Sequence, residues 1–478
     1  MKTRTARKGN GNRHRQSSTV FCKKTKAAGT TALESQIDAI TRGLRPYIGS
    51  AFKAMAAGNQ ANAKVLCSYM IAEQTEYNIK DSTKEWKIKT LIWLSQYFGH
   101  GKGYRQLEKE DILLYLNSLR KQPSDDPDQK WVGTYNNRIL AFSKFFRWLY
   151  CPDEPDTRKR PVPGCMKGVR RLPTKKKSSY KPSDMWTDEE SAVFVKYCPS
   201  ARDRCFHMMA ADTSARPHEL LALKIRDVHF KVAPDTGIQF ALITVSGKTG
   251  QRTLPLIDSI PYVKEWIGRH PYTGNPDAPL FIAMADQNFG QQLSVNGIRE
   301  QYKYQYRKVT FPKLLIDSSV PEEDKAIVRK MLEKPWNPYV LRHSSLTAKS
   351  KVLSEHTLRN HAGWTMTSKM PAVYVHYMGA ESAQLILEQR GILQSDQQKG
   401  TDKLKPRICS NCGEPNKNDS RFCSKCKMVL IYDAFCESVQ NEELGRKRID
   451  NLEQDMAELK ELLKHTAKLA EIEEEEGI

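Results

Sequence analysis

Between Trp336 and Tyr377 the chain sets an Arg beside a His (Arg342, His343), then a Gly-Trp pair (Gly363, Trp364) and a Tyr flanked by valines (Tyr374). Those groups suit chemistry on a phosphodiester. A guanidinium grips phosphate oxygens in a fork. A phenol, with an unperturbed pKa of about 10, becomes an oxygen nucleophile where neighbouring cations favour its oxyanion. A second chemical signal is Cys409, Cys412, Cys423 and Cys426, spaced C-x2-C-x10-C-x2-C with Gly413 placed to allow a tight knuckle turn. Four thiolates at that spacing suit tetrahedral Zn2+, and four Cys leave no open position, so the expected site is structural.

Read in full, WNPYVLRHSSLTAKSKVLSEHTLRNHAGWTMTSKMPAVYVHY resembles the tyrosine recombinase, or phage-type integrase, family. YVLRH matches its His-x-x-Arg box, AGW its Gly-His or Gly-Trp, and PAVYVH its nucleophilic Tyr; SKMPAVYVH looks most like integrases of archaeal type. ARPHEL resembles the family's first box, an Arg at a turn followed three residues later by an acid. The likeness runs over about residues 60–390.

What the resemblance implies is a site-specific DNA recombinase or integrase acting on double-stranded DNA. Tyr374 would attack the phosphate, leaving a 3′-phosphotyrosyl link and a free 5′ hydroxyl, without ATP or a catalytic metal. It implies Arg216 and Arg342 on the phosphate, Glu219 orienting Arg216 or its helix, and Trp364 donating its indole N–H. Lys248, at a hairpin tip, would protonate the leaving 5′ oxygen, with Arg252 on the returning strand as the competing candidate. Tyr339 stands where the family usually has His; it can donate a hydrogen bond but accepts a proton poorly. His343 is in the family more often a packing residue, and His361 fits the spacing of the Trp364 position less well. The family also implies a homo-oligomer, a dimer on a site and a tetramer at synapsis. Two alternatives stand beside it: a type IB topoisomerase with the same chemistry and no strand exchange, and a zinc-ribbon DNA-binding regulator with a defunct core.

The elements that must position these groups form a chain of 478 residues, too long for one ordinary domain. A hydrophobic content of 39% suffices for cores, and a formal charge of +21 points to a polyanionic partner, nucleic acid first. There is no long apolar run and no signal-peptide pattern, so a cytoplasmic, DNA-associated protein is expected. The remaining cysteines, Cys67 and Cys205 among them, are expected in cores rather than in disulfides.

The expected fold is multidomain and mainly α. Residues 1–31 read as a disordered basic arm, and 32–168 as a helical domain with Phe142, Phe145, Phe146 and Trp148 in its core, which the resemblance implies to be a core-binding, DNA-clamping domain. A basic linker at 169–183 leads to an α+β catalytic domain at 184–393, whose Thr187, Glu189 and Glu190 signal a helix start. Within it ALITVSGKTGQRTLPL alternates about a Gly-rich turn, a β-hairpin. Its GKT is no phosphate loop, because the Gly required five residues before Gly247 is Leu242 and no helix pattern follows. Tyr302, Tyr304 and Tyr306 are nucleophiles by composition only, and their even spacing suits surface or packing use. A linker at 394–406, a zinc ribbon at 407–432 and a coiled-coil-like helix at 436–472 complete the chain; in the last, Ile449, Leu452, Met456, Leu459, Leu463, Thr466 and Ala470 alternate in steps of three and four.

Overall fold

A computed structural model describes residues 32–99, 101–173, 180–247, 250–375, 387, 390 and 403–475. The chain divides into two compact units, Met1–Lys176 and Lys177–Ile478. The basic arm, most of the expected linkers, Lys248 and, but for residues 387 and 390, the stretch 376–402 lie outside the described residues.

The first unit is helical: α1 (Ala32–Thr41), α2 (Pro46–Gly58), α3 (Gln60–Tyr77), α4 (Asp81–Tyr97), α5 (Lys109–Ser118) and α6 (Trp131–Tyr150). Pro46 begins α2, where its fixed φ suits a first turn and its missing N–H costs no helical bond. The inward face of α6 organises the core. Phe142, Phe145 and Phe146 are fully buried with Trp148 half-buried beside them, as their spacing predicts, and Tyr69 of α3 meets Phe145 edge-on at 5.1 Å. Asn62 satisfies the buried polar groups nearby: its side chain accepts from the Tyr104 N–H (2.7 Å) and donates to Ser95 Oγ (2.9 Å).

The second unit opens with α7 (Asp188–Tyr197), started as expected by a reciprocal cap in which Thr187 Oγ1 accepts from the Glu190 N–H and Glu190 Oε2 from the Thr187 N–H. Its hub is α8 (Ala201–Thr213), buried on almost every face; Phe194 stacks on His207 of α8 at 4.3 Å. The short α9 (Pro217–Leu221) leads to an antiparallel sheet ordered β1 (Val228–Val232), β2 (Gln239–Gly247) and β3 (Gly250–Leu256). On β2, buried Ala241, Ile243 and Val245 alternate with outward residues, so the sheet turns one face to the core. A strand, not a helix, follows Gly247, as the rejection of a phosphate loop requires.

Then come α10 (Ile260–Gly268), α11 (Val295–Glu300), a π-helix (Gln301–Thr310), α12 (Phe311–Leu314) and α13 (Glu322–Glu333). The wide turn of the π-helix puts Tyr302 and Tyr306 on one buried face, where the Tyr306 hydroxyl donates to Asp203. Tyr304 stays exposed between Lys303 and Lys308. Packing and surface use, not chemistry, therefore account for these tyrosines. The site helices are α14 (Pro338–Ser350), α15 (Glu355–Ala362) and α16 (Met370–Val375).

The segment that carries the four cysteines packs against the rest of the second unit. Leu404 is buried in the core of the second unit. The small sheet of β4 (Arg407–Ile408) and β5 (Pro415–Asn416) is tied to α10, with the Lys264 ammonium on Glu414 and Lys417 on Glu265 at 2.8 Å. A last helix, α17 (Tyr432–Glu475), spans the positions at which the heptads are expected. No helix among the described residues is long and apolar enough to cross a membrane.

Candidate active site

The site is built where α8 ends. Ser214 caps that helix in the left-handed region (φ 51°), turning the chain so that Arg216 precedes α9 with Pro217 at its first position. Glu219, one turn into α9, lies behind it: its Oε2 accepts from the Arg216 N–H (2.9 Å) and its Oε1 from Arg216 Nη1 (2.8 Å). The same carboxylate takes two bonds from Arg252 on β3, Nη1 to Oε1 at 3.2 Å and Nη2 to Oε2 at 2.7 Å. One buried acid thus orients two guanidinium groups. Burial alone raises the Glu219 carboxyl, but the bonds from Arg252 and from Arg216 outweigh it and hold the group down at about 2.

Arg342, on α14, is buried and fixed by main-chain carbonyls at two helix ends. Its Nη1 donates to Ser214 O and its Nη2 to Ala362 O at 2.8 Å. These carbonyls are among those a helix leaves without an internal donor. Burial, and next the positive charge of Arg216, lower the Arg342 guanidinium to about 10; it remains charged at neutral pH. Arg252 Nε donates to His361 O at 2.9 Å and Arg216 Nη2 to Gly363 O at 3.4 Å, so all three arginines gather at the end of α15. Gly363 is required there twice over. Its φ is 63°, and a Cβ on it would lie 2.7 Å from Arg252 Nη1.

Tyr374 on α16 is 2% exposed, packed against Leu346, Leu358 and Ala362. Its ring stacks on Trp364 at 5.5 Å and on His343 at 5.7 Å. Its hydroxyl lies 2.7 Å from His343 Nδ1. Burial first, and then Arg342, lower the His343 imidazole to about 4, so at neutral pH the ring is uncharged and Nδ1 is free to accept the phenolic proton.

Of the residues singled out in the sequence, Arg216, Glu219, Arg342, Trp364 and Tyr374 come together with His343. His343, expected more as a packing residue, both stacks on Tyr374 and is the hydrogen-bond partner of its hydroxyl. Tyr339, three residues before Arg342, is 41% exposed, and its N–H rather than its ring is engaged, by the Asn337 cap at 3.0 Å. His361 contributes its carbonyl to Arg252, and its ring Nε2 is 3.3 Å from Ser214 Oγ. Arg252 is the described hairpin cation in the site.

The four cysteines form a second site. Their sulfurs all lie within 4.8 Å of one another, with Cys409–Cys426 and Cys412–Cys423 at 3.6 Å. Metal–sulfur bonds of about 2.3 Å at tetrahedral angles separate sulfurs by about 3.8 Å, so the cluster fits one ion. Gly413 has φ 67°, the turn expected of it. Asn416 Nδ2 lies 3.7 Å from Cys423 Sγ, a bond that steadies a thiolate.

The chain matches no protein-family model and no curated protein. Among solved structures it is similar to the XerH site-specific recombinase in a post-cleavage complex with palindromic difH substrate, at 18% identity and a TM-score of 0.43 over 74% of this chain and 97% of that one. It is similar to the Tn1549 transposon integrase in complex with transposon right end DNA, at 14% identity and 0.43 over 68% of this chain and 99% of that one. A lambda integrase tetramer bound to a Holliday junction is similar at 12% identity and 0.41, over 71% and 87%. Likeness at this distance assigns no function.

Proposed function

We propose that this protein is a site-specific DNA recombinase or integrase that breaks and rejoins strands through a phosphotyrosine. The observation that carries the reading is the Tyr374 hydroxyl on an uncharged imidazole, beside an arginine cluster in which Glu219 and backbone carbonyls fix every guanidinium. Three cations converging on one small volume repel one another, an expense that an anionic substrate removes.

In the reaction, the non-bridging oxygens of a DNA phosphate take the place between Arg216, Arg252 and Arg342. Tyr374 Oη attacks phosphorus while its proton passes to His343 Nδ1. The P–O5′ bond breaks as the P–O(Tyr) bond forms, and the 5′ oxygen gains a proton, the step assigned to Lys248. The phosphate's charge offsets that of Arg342 and raises the basicity of His343 when the proton must be held. A 5′ hydroxyl from a second strand then reverses the sequence. One phosphodiester is exchanged for another, so the exchange runs without ATP.

The test is covalent capture on nicked DNA from the region flanking the gene, with neither nucleotide nor Mg2+ added, followed by SDS and peptide mapping of the adduct. An adduct on Tyr374 is expected. Binding with no adduct on any DNA offered would favour a DNA-binding regulator, and adducts that relax supercoils without joining strands from two molecules would favour a topoisomerase.

His343 supplies a second prediction. His343→Ala should slow single-turnover cleavage about 100-fold. Because the folded imidazole titrates at about 4, below the usual 6.5, the wild-type base stays unprotonated throughout the neutral range. At protein concentrations too low to saturate the DNA, where the rate reports the free protein, cleavage should therefore show no inflection near 6.5 and fall only in more acidic buffer. Tyr339→Phe should change the rate less than tenfold.

The cysteine cluster is assigned to structural Zn2+. The donor set fits it, and bound zinc would hold β4 and β5 against α10, where Lys264 joins Glu414 to Gln239 of β2. Metal analysis should find about one zinc per chain. Cys423→Ser should lower the melting temperature by several degrees while leaving the first unit folded, measured by calorimetry.

A further inference from the structure

The proposed reaction leaves α17 without a role. Its described side chains, from residue 439 to 463, are all exposed save the half-buried Gly445 position. Ile449, Leu452, Met456 and Leu459 are each more than half exposed (57%, 56%, 58% and 59%) on a single helix face. An apolar stripe of this length left in water is costly, about 1.5–3 kcal/mol for each large side chain it fails to bury. DNA is a poor occupant. In a chain of formal charge +21, residues 441–463 hold seven acidic side chains against four basic ones.

We propose that α17 pairs with α17 of a second copy as a parallel, in-register, two-stranded coiled coil beginning at Ile449. Placing Ile449, Met456 and Leu463 at position a puts Leu452 and Leu459 at d. In the first heptad a β-branched residue at a (Ile449) stands with Leu at d (Leu452), the combination that favours two strands. The flanking charges choose the direction. In a parallel pair each g residue faces the e residue five positions on in the partner helix. Arg448 then faces Glu453, and Asp455 faces Lys460, twice each by symmetry. All four contacts are attractive. An antiparallel pair that stacks Ile449 on Leu459 instead sets Glu453 against Glu453 and Asp455 against Asp455. The seam begins abruptly, because Glu442 and Gly445 hold the preceding a and d positions. Three heptads make a short coil, so the pair should come apart on dilution.

The pairing joins two second units through their C-terminal helices before either meets DNA, and it stands independently of the phosphotyrosine reading. Sedimentation velocity of the full chain, nuclease-treated and free of DNA, across a wide dilution series tests it. Wild type should pass from two chains to one on dilution, and Leu452→Asp with Leu459→Asp should remain a single chain. These positions are exposed in the lone helix, so the variant should keep its folded spectrum. Asp455→Lys or Lys460→Asp alone should raise the dimer dissociation constant about tenfold. The two exchanges together should restore it. A wild type that is a single chain throughout, an assembly of more than two chains, or a double-Asp variant of unchanged mass would each overturn the pairing. Failure of the charge exchange to restore association would overturn its direction.

Discussion

Tyr374→Phe is expected to abolish covalent capture of DNA while leaving affinity for the same DNA within about twofold. The expectation follows from how little else the substitution removes. The Phe ring keeps the stack on Trp364 and His343 and the contacts with Leu346, Leu358 and Ala362. The hydroxyl disappears, and with it the hydrogen bond to the neutral His343 ring, worth about 0.5–1.5 kcal/mol of stability. A melting curve close to wild type, together with complete loss of the adduct, would locate the effect in the chemistry. Persistence of an adduct would move the nucleophile elsewhere and sink the mechanism. Retained cleavage without an adduct would indicate a water-driven reaction in the same arginine cluster.

Arg342→Ala should lower single-turnover cleavage by about 1000-fold or more and also destabilise the second unit, by about 2–4 kcal/mol. Two causes act together. Loss of the guanidinium removes charge from the phosphate position, and it leaves Ser214 O and Ala362 O buried without their donor. Some stability returns because Arg216 loses a repulsive neighbour. Arg342→Lys separates the causes: the charge remains, but an ammonium cannot reproduce the planar fork that spans two helix ends. Its melting temperature should lie between wild type and the Ala variant, with cleavage still reduced about 100-fold. Cleavage by the Lys variant at the wild-type rate would show that Arg342 only holds the fold together.

The parts legible in the sequence were those set by local spacing. Arg216 and Glu219 meet because i and i+3 adjoin at a helix start, and the cysteine cluster follows from paired knuckles. The α6 aromatics announced a core by periodicity. Contacts that cross the fold were not legible. Arg252 reaches Glu219 only because β3 passes α9, which no spacing along the chain records. The contact between His343 and Tyr374 was not legible for a related reason. Adjacent residues on a helix point about 100° apart, so Arg342 turns to buried carbonyls while His343 turns to Tyr374 on another helix. Docking of the cysteine sheet on α10 rests on charges such as Glu414 and Lys264 that lie far apart in sequence and look like ordinary surface residues.

The sharing of Glu219 between Arg216 and Arg252 has a consequence for how such a site can drift. Loss of the carboxylate strands two cations at once, whereas loss of either arginine leaves the acid still neutralised by the other. The three positions are thus epistatic. In a double-mutant cycle, Glu219→Gln should cost much less in a chain already lacking Arg252 than in wild type. A lineage could give up an arginine first and the acid afterwards, but hardly in the opposite order.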